Sequence, residues 1–211
     1  MEHIETGLVR GTLHPAESGS AGIVLAHGAG SNSNAKIMIG LAGAFAEAGL
    51  HALRIDLPFR QLRPSGPPHP STSVRDREGI LAALNLLRVR GITRLFLGGH
   101  SYGGRQSSML AADHPDDLGV ERLLLLSYPL HPPAKPEQLR TAHLPSLRIP
   151  ALFVHGTRDP FGTPDELRAA IALIPAETEL ILLEGAGHDL KPVMTKPALI
   201  VQRMLAGTSA T

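Results

Sequence analysis

Cysteine is absent from the 211-residue sequence. That excludes disulfides, thiolate-bound zinc and a thiol nucleophile together, and it agrees with a reducing compartment. Tryptophan is missing too, and aromatic residues make up only 3 %, so a core has to be assembled from Leu, Ile, Val and Ala. No run approaches the roughly 18 apolar residues of a membrane-spanning helix. Neither sign of charge dominates: the formal net charge is +1 and the arginines are scattered. Nucleic acid and anionic membrane are therefore not expected partners. The start, Met1-Glu2-His3-Ile4-Glu5, has acids where a secretory leader needs a basic start and an apolar run. The histidines show no H-E-x-x-H or other ligand spacing, so no metal is expected. A soluble, cytoplasmic protein follows from these absences, and a homodimer stays open.

What is present is an ordinary globular balance, 43 % hydrophobic and 18 % charged, at a length that suits one domain over 1–211. Short apolar runs alternate with helical patterns. The runs are Gly22–Ala26, His51–Leu57, Arg94–Gly98, Leu123–Ser127, Ala151–His155 and Glu179–Glu184. Near-continuous apolar strands are those covered on both faces, which means a parallel sheet. Glu5–Gly11 is a weaker candidate for an antiparallel edge strand. The expected fold is a doubly wound, mostly parallel α/β sheet of about six to seven strands with helices on both faces.

The helices carry punctuation. Ser33–Gly49 places Ile37, Leu41, Phe45 and Ala48 on one face. Ser73-Val74-Arg75-Asp76 has the spacing of a capping box before Ile80, Leu84 and Leu87. Thr163-Pro164-Asp165-Glu166 is a clearer start: a capping hydroxyl, a proline in the first turn, then acids favoured by the helix dipole. A last helix is expected from Pro197 to Leu205, with Gly207 behind it. Two proline-rich stretches, Pro58–Ser71 and Pro129–Pro150, each follow a strand. Both are expected at the carboxyl edge of the sheet, where open α/β folds bind ligands. Pro129–Pro150 has room for one brief helix, around Pro136–Ala142.

Gly99-His100-Ser101-Tyr102-Gly103 matches G-x-S-x-G between a strand and a helix. In that context the serine sits on a sharp turn that holds it clear of the sheet and aims a helix N-terminus at it. Serine needs a base to become a nucleophile. His188, in the Gly-rich segment after the last strand, is the candidate. Asp159, after the preceding strand, is the candidate acid that would fix the imidazole tautomer, although taken singly it reads as a turn residue before Pro160. The chain order Ser, Asp, His is that of the α/β-hydrolases. His27-Gly28-Ala29-Gly30 follows the first central strand. Its Ala29 N–H, with Gly28 as fallback, and the Tyr102 N–H are the expected oxyanion donors. The same loop reads as a G-x-G phosphate loop only weakly, since position 33 is Ser and no G-K-[ST] occurs.

From Gly22 onward the sequence resembles the α/β-hydrolase superfamily, and its short chain is similar to the compact, lidless dienelactone-hydrolase-like and carboxylesterase-like branch. Ser127-Tyr128-Pro129-Leu130-His131-Pro132 and Val154–Phe161 also resemble a poorly characterised subgroup of predicted hydrolases. The resemblance implies the triad Ser101, His188 and Asp159. One departure stands out: dienelactone hydrolases proper use cysteine, so their lactone substrate is not implied here.

His100 is expected to pack in the elbow. Asp189 and Asp56 compete with Asp159, though neither sits where this fold places the acid. Arg105, Arg60 and Arg63 offer themselves to an anionic substrate or to solvent, and exposure is the commoner fate of arginine. The leading expectation is a cofactor-free serine hydrolase acting on a small ester or thioester. A non-catalytic interaction module on the same fold is the alternative, and a peptidase or perhydrolase using the same triad is another.

Overall fold

The computed structural model describes residues 1–206, and Gly207 lies outside them. Eight strands form one sheet: β1 Glu2–Thr6, β2 Val9–His14, β3 Ala21–Ala26, β4 Leu50–Asp56, β5 Arg94–His100, β6 Arg122–Leu126, β7 Ala151–Gly156 and β8 Thr178–Leu183. Their order is β1-β2-β4-β3-β5-β6-β7-β8. All pairings from β4 through β8 are parallel, whereas β1–β2 and β2–β4 are antiparallel. The mostly parallel, doubly wound sheet is as the apolar runs require. The strand count is higher than expected because the weak Glu5–Gly11 segment is the middle of a hairpin. Gly7, at φ +56°, makes its tight turn, a conformation that costs a residue without Cβ little.

Alternation on the central strand divides the core in two. Val24 and Ala26 face α3 (Ser73–Val89), α4 (Tyr102–Asp113) and α5 (Pro164–Ile171). Ile23 and Leu25 face α1 (Lys36–Glu47), α6 (Lys191–Thr195) and α7 (Pro197–Ala206). α1 buries Ile37, Met38, Leu41, Ala42 and Phe45, the stripe its 3.6-residue period dictates. The edge strands are blunted differently. β1 buries only Ile4 and ties Glu2 to Arg90 at 2.6 and 2.7 Å. β8 is half-buried throughout, with Glu179 paired to the buried Arg122 at 3.0 Å and to Arg203. Charge on an edge discourages pairing with another sheet.

Thr163 caps α5 in a complete capping box with Glu166. The similar spacing at Ser73 does not do so. Ser73 is already inside α3, no side chain caps that helix, and Asp76 is buried with other partners. α1 starts at Lys36, not near Ser33, because the Ser33 N–H is taken by Asp56 at 2.8 Å. Pro58–Ser71 opens with a short helix, α2 (Pro58–Leu62). In Pro129–Pro150 the expected helix at Pro136–Ala142 does not form. A single 3-10 turn at Leu144–Ser146 stands in its place, and nothing in this interval amounts to a cap.

Candidate active site

Strand order reverses beside β3: the chain passes from β3 to β4 on one side, then returns to β5 on the other. Loops leaving β3 and β5 at such a switch point diverge and leave a crevice. The loop after β3 is His27–Ser31, and the turn after β5 holds Ser101.

Ser101 has φ 53° and ψ −117°, a strained conformation for a side-chain-bearing residue. The flanking glycines explain how the turn is accommodated. A methyl on Gly103 would overlap the Ala26 carbonyl, and one on Gly99 would meet both that carbonyl and the Gly103–Gly104 backbone. The turn is therefore packed backbone to backbone, and the Ser101 N–H is held by the Leu126 carbonyl at 2.8 Å.

The three sequence-predicted side chains meet here. His188 Nε2 lies 2.8 Å from Ser101 Oγ, while its Nδ1 is 2.8 and 3.0 Å from the two Asp159 oxygens. A carboxylate only accepts, so Nδ1 carries the proton and Nε2 is left to accept from the serine hydroxyl. The Asp159 side chain is fully buried and that of His188 is 23 % exposed. Burial pushes the Asp159 carboxyl up. The His188 bond and charge, with the Phe161 N–H, outweigh it and hold the group below its ordinary value. Asp159 is also the turn residue that its local sequence suggests, since Oδ1 accepts the Phe161 N–H at 2.9 Å. Phe161, given no role by the sequence, stacks on the His188 ring with centroids 4.2 Å apart. The two loops are laced together by Arg158 N–H to Ala186 O at 2.9 Å and Gly185 N–H to Thr157 Oγ1 at 2.8 Å. His100 does more than pack: its Nε2–H donates to the His188 carbonyl at 2.7 Å.

The rival carboxylates are engaged elsewhere. Asp56 takes the Ser33 N–H and Arg10, and Asp189 faces Lys191 at 3.2 Å with over half its side chain exposed.

The His27–Ser31 loop is held by its carbonyls. His27 Nδ1–H donates to Gly28 O at 2.8 Å while its Nε2 accepts the Leu57 N–H at 3.1 Å. Burial pushes the imidazole down from 6.5 to about 4, so it stays neutral in these roles. Arg60 is buried, and it donates to Ala29 O at 2.8 Å and Ser31 O at 2.7 Å. With its carbonyls drawn away, the loop presents the Ala29 N–H without a protein acceptor among the described residues. The Tyr102 N–H, in the first turn of α4, has no intrahelical acceptor either. Arg60 is thus neither solvated nor placed for substrate, as sequence reasoning had it, and Arg63 is exposed. Asp76 fixes the opposite wall by accepting the Tyr102 hydroxyl at 2.7 Å and the Phe59 N–H at 2.9 Å. The roles of His27, Arg60 and Asp76 left little trace in the sequence, because each acts through a partner 17 to 31 residues away.

Ser101 and His188 open onto a cleft of about 720 Å³, walled by Gly28–Ser31, Pro67–Pro70 and Pro129 with Arg140. Both proline-rich stretches therefore contribute a wall. Among the described residues no cluster of three or more His, Asp or Glu has a metal-holding arrangement, and no helix is long and apolar enough to cross a membrane.

Known structures share this architecture. Dienelactone hydrolase from Anabaena variabilis superposes with a TM-score of 0.75 at 22 % identity, over 97 % of this chain and 96 % of that one. Est1E from Butyrivibrio proteoclasticus gives 0.76 at 17 % identity, over 97 % of each. A stretch of 48 residues is 50 % identical to the polyketide synthase ThaQ of Burkholderia thailandensis; it covers 23 % of this chain but only 2 % of ThaQ. A family model described as an alpha/beta hydrolase domain matches residues 19–206, which takes in every residue of the cleft, and the chain belongs to that family.

Proposed function

We propose that this α/β hydrolase is a single-domain serine hydrolase that cleaves small carboxylic esters or thioesters through an acyl-enzyme. The observation that carries the reading is the unbroken hydrogen-bond chain Ser101–His188–Asp159 at 2.8 and 2.8 Å. Ser101 Oγ attacks the scissile carbonyl as its proton passes to His188 Nε2. The carbonyl oxygen, now negative, is received by the N–H groups of Ala29 and Tyr102 at the N-terminus of α4. The tetrahedral species collapses with loss of the alcohol or thiol, which takes the proton from His188. Water then repeats the sequence on the acyl-enzyme, and the acid leaves with Ser101 restored. Asp159 keeps the proton on Nδ1 and balances the imidazolium that forms transiently.

The family match places the chain among the alpha/beta hydrolases, and Est1E has been solved with ferulic acid bound. That a small acyl or alcohol group occupies the present cleft is our extension. The test is fluorophosphonate labelling with the adduct located by mass spectrometry, followed by an ester panel. A single adduct on Ser101 and hydrolysis abolished by Ser101→Ala are expected; labelling that persists in Ser101→Ala would overturn the assignment.

A further inference from the structure

The charge of the cleft wall is one-sided. Arg105 and Arg140 both line it, and not one of its lining residues is an Asp or Glu. Among the described residues neither guanidinium has an ion-pair partner, a state they share with Arg54, Arg60, Arg63, Arg75, Arg88, Arg148 and Arg158, but of these only Arg105 and Arg140 line the cleft. The carboxylates nearest this wall are already spent: Asp76 receives the Tyr102 hydroxyl and the Phe59 N–H, and Asp113 pairs with Arg77 at 3.2 Å. Among the described residues the Arg140 guanidinium hydrogen-bonds a carbonyl, Pro129 O at 3.2 Å. On the first turns of α4, Arg105 Nε and Gln106 Nε2 are buried donors without an acceptor. Both residues line the cleft. The two cations also feel each other: burial, then the Arg105 charge, lowers the Arg140 guanidinium below its ordinary value. Two arginines without ion pairs thus share one wall, with no carboxylate beside them. An acceptor-only anion in the cleft would supply the missing countercharge.

Arg105 lies one helical turn from the nucleophile, its N–H bonded to the Ser101 carbonyl at 2.9 Å. Arg105 and Arg140 line the same cleft as Ser101 and His188, so a group held by them shares that cleft with the scissile carbonyl. We infer that Arg105 and Arg140 form a carboxylate subsite, and that the substrate is an ester or thioester bearing a carboxylate a few bonds from the reacting carbonyl. The inference rests on the serine hydrolase reading above and adds the class of substrate. Guanidinium forks bind carboxylates with paired charge-assisted hydrogen bonds, which an uncharged ester of equal length lacks.

The test compares matched esters at low salt. On the acyl side, 4-nitrophenyl hydrogen glutarate is set against 4-nitrophenyl valerate. On the alcohol side, O-acetyl-3-hydroxybutyrate is set against its methyl ester. In at least one pair the anion should be favoured in kcat/KM by roughly tenfold to a hundredfold, the worth of one or two charge-assisted bonds. That ratio should fall as salt rises. It should collapse in Arg105→Gln and survive in part in Arg105→Lys. Because Arg140 also holds its own loop, glutarate binding to Ser101→Ala protein, followed by calorimetry, gives a second reading. Arg105→Gln in that background should abolish the binding, at an unchanged unfolding midpoint. Ser101-dependent hydrolysis with no anion preference in either pair would overturn the subsite and leave the hydrolase reading standing. Absence of both labelling and ester turnover would remove the hydrolase reading, and glutarate binding would then decide whether the anion site exists.

Discussion

Asp159 serves two partners at once, the backbone of its own turn and the ring of a histidine 29 residues away. Its charge sets which ring nitrogen carries the proton. Asp159→Asn keeps the shape but supplies an amide that can donate to Nδ1, favouring the tautomer with Nε2 protonated and unable to accept from Ser101. A loss in kcat on the order of a thousandfold or more is expected, with the fold intact. Full turnover in this variant, with Asp56→Asn or Asp189→Asn inactive, would mean that another carboxylate acts. Arg60 makes a second case, as a positioning residue. Arg60→Met releases the Ala29 and Ser31 carbonyls from their buried donor, at about 1–3 kcal/mol of stability. The Ala29 N–H then loses its aim. If the loop serves the oxyanion, kcat should fall at least about tenfold with a smaller change in KM, since the interaction grows only as charge develops. A merely structural Arg60 would lower stability without that split.

At the scale of elements, the turn between β5 and α4 is constrained both by its backbone angles and by its contacts. Its serine backbone sits in a region that costs about 1–3 kcal/mol, and surrounding contacts hold it there. Gly103 touches the end of β3, so α4 cannot approach the sheet with any side chain at that position. Gly103→Ala must push the helix outward or distort the Ala26 carbonyl, at about 1–3 kcal/mol. Fluorophosphonate labelling should be lost with it. Gly43, inside α1, is the contrast: a methyl there meets nothing within 4 Å. Gly43→Ala should raise stability by about 0.5–1 kcal/mol through helix propensity alone and leave labelling unchanged. Chemical denaturation of the two variants side by side checks both signs.

For the whole molecule, pH and substrate size are the relevant variables. Burial holds His27 near 4 against 6.5 for an exposed imidazole. His14, His100 and His143 are lowered as well, each first by burial. Between pH 6.5 and about 4 the unfolded chain takes up protons that folded His27 and His143 refuse. Stability therefore rises with pH through that window; it is fully present above 6.5 and is lost as pH falls toward 4. His27 alone contributes up to about 3 kcal/mol. Urea midpoints should drop between pH 7 and pH 5, and His27→Gln, which keeps a donor and an acceptor without titrating, should flatten that slope. The second variable follows from the missing cap. A cleft walled by prolines and open above Ser101 buries few methylenes, each worth only about 0.8 kcal/mol. Acyl chains of roughly two to six carbons should give the best kcat/KM across 4-nitrophenyl esters from acetate to palmitate. An optimum at twelve carbons or more would require a lid that the Pro129–Pro150 segment does not build.

The sequence by itself determined the fold class, the strand–turn–helix around Ser101, and the loops that carry Ala29, Asp159 and His188. These features are written locally: apolar runs, paired glycines, and residues that fall just past the end of a strand. Capping at Thr163 was legible for the same reason, since both halves of the box lie three residues apart. Identical spacing at Ser73–Asp76 misled, because Asp76 gains more from the Phe59 N–H and the Tyr102 hydroxyl in the interior than from capping its own helix. Only the tertiary structure decided that Arg60 is buried under the β3 loop while Arg105 and Arg140, far apart in the chain, share one wall. Local sequence gives a charge its position, but whether an arginine meets solvent, a carbonyl or a cleft wall depends on which partners the packed sheet has already used.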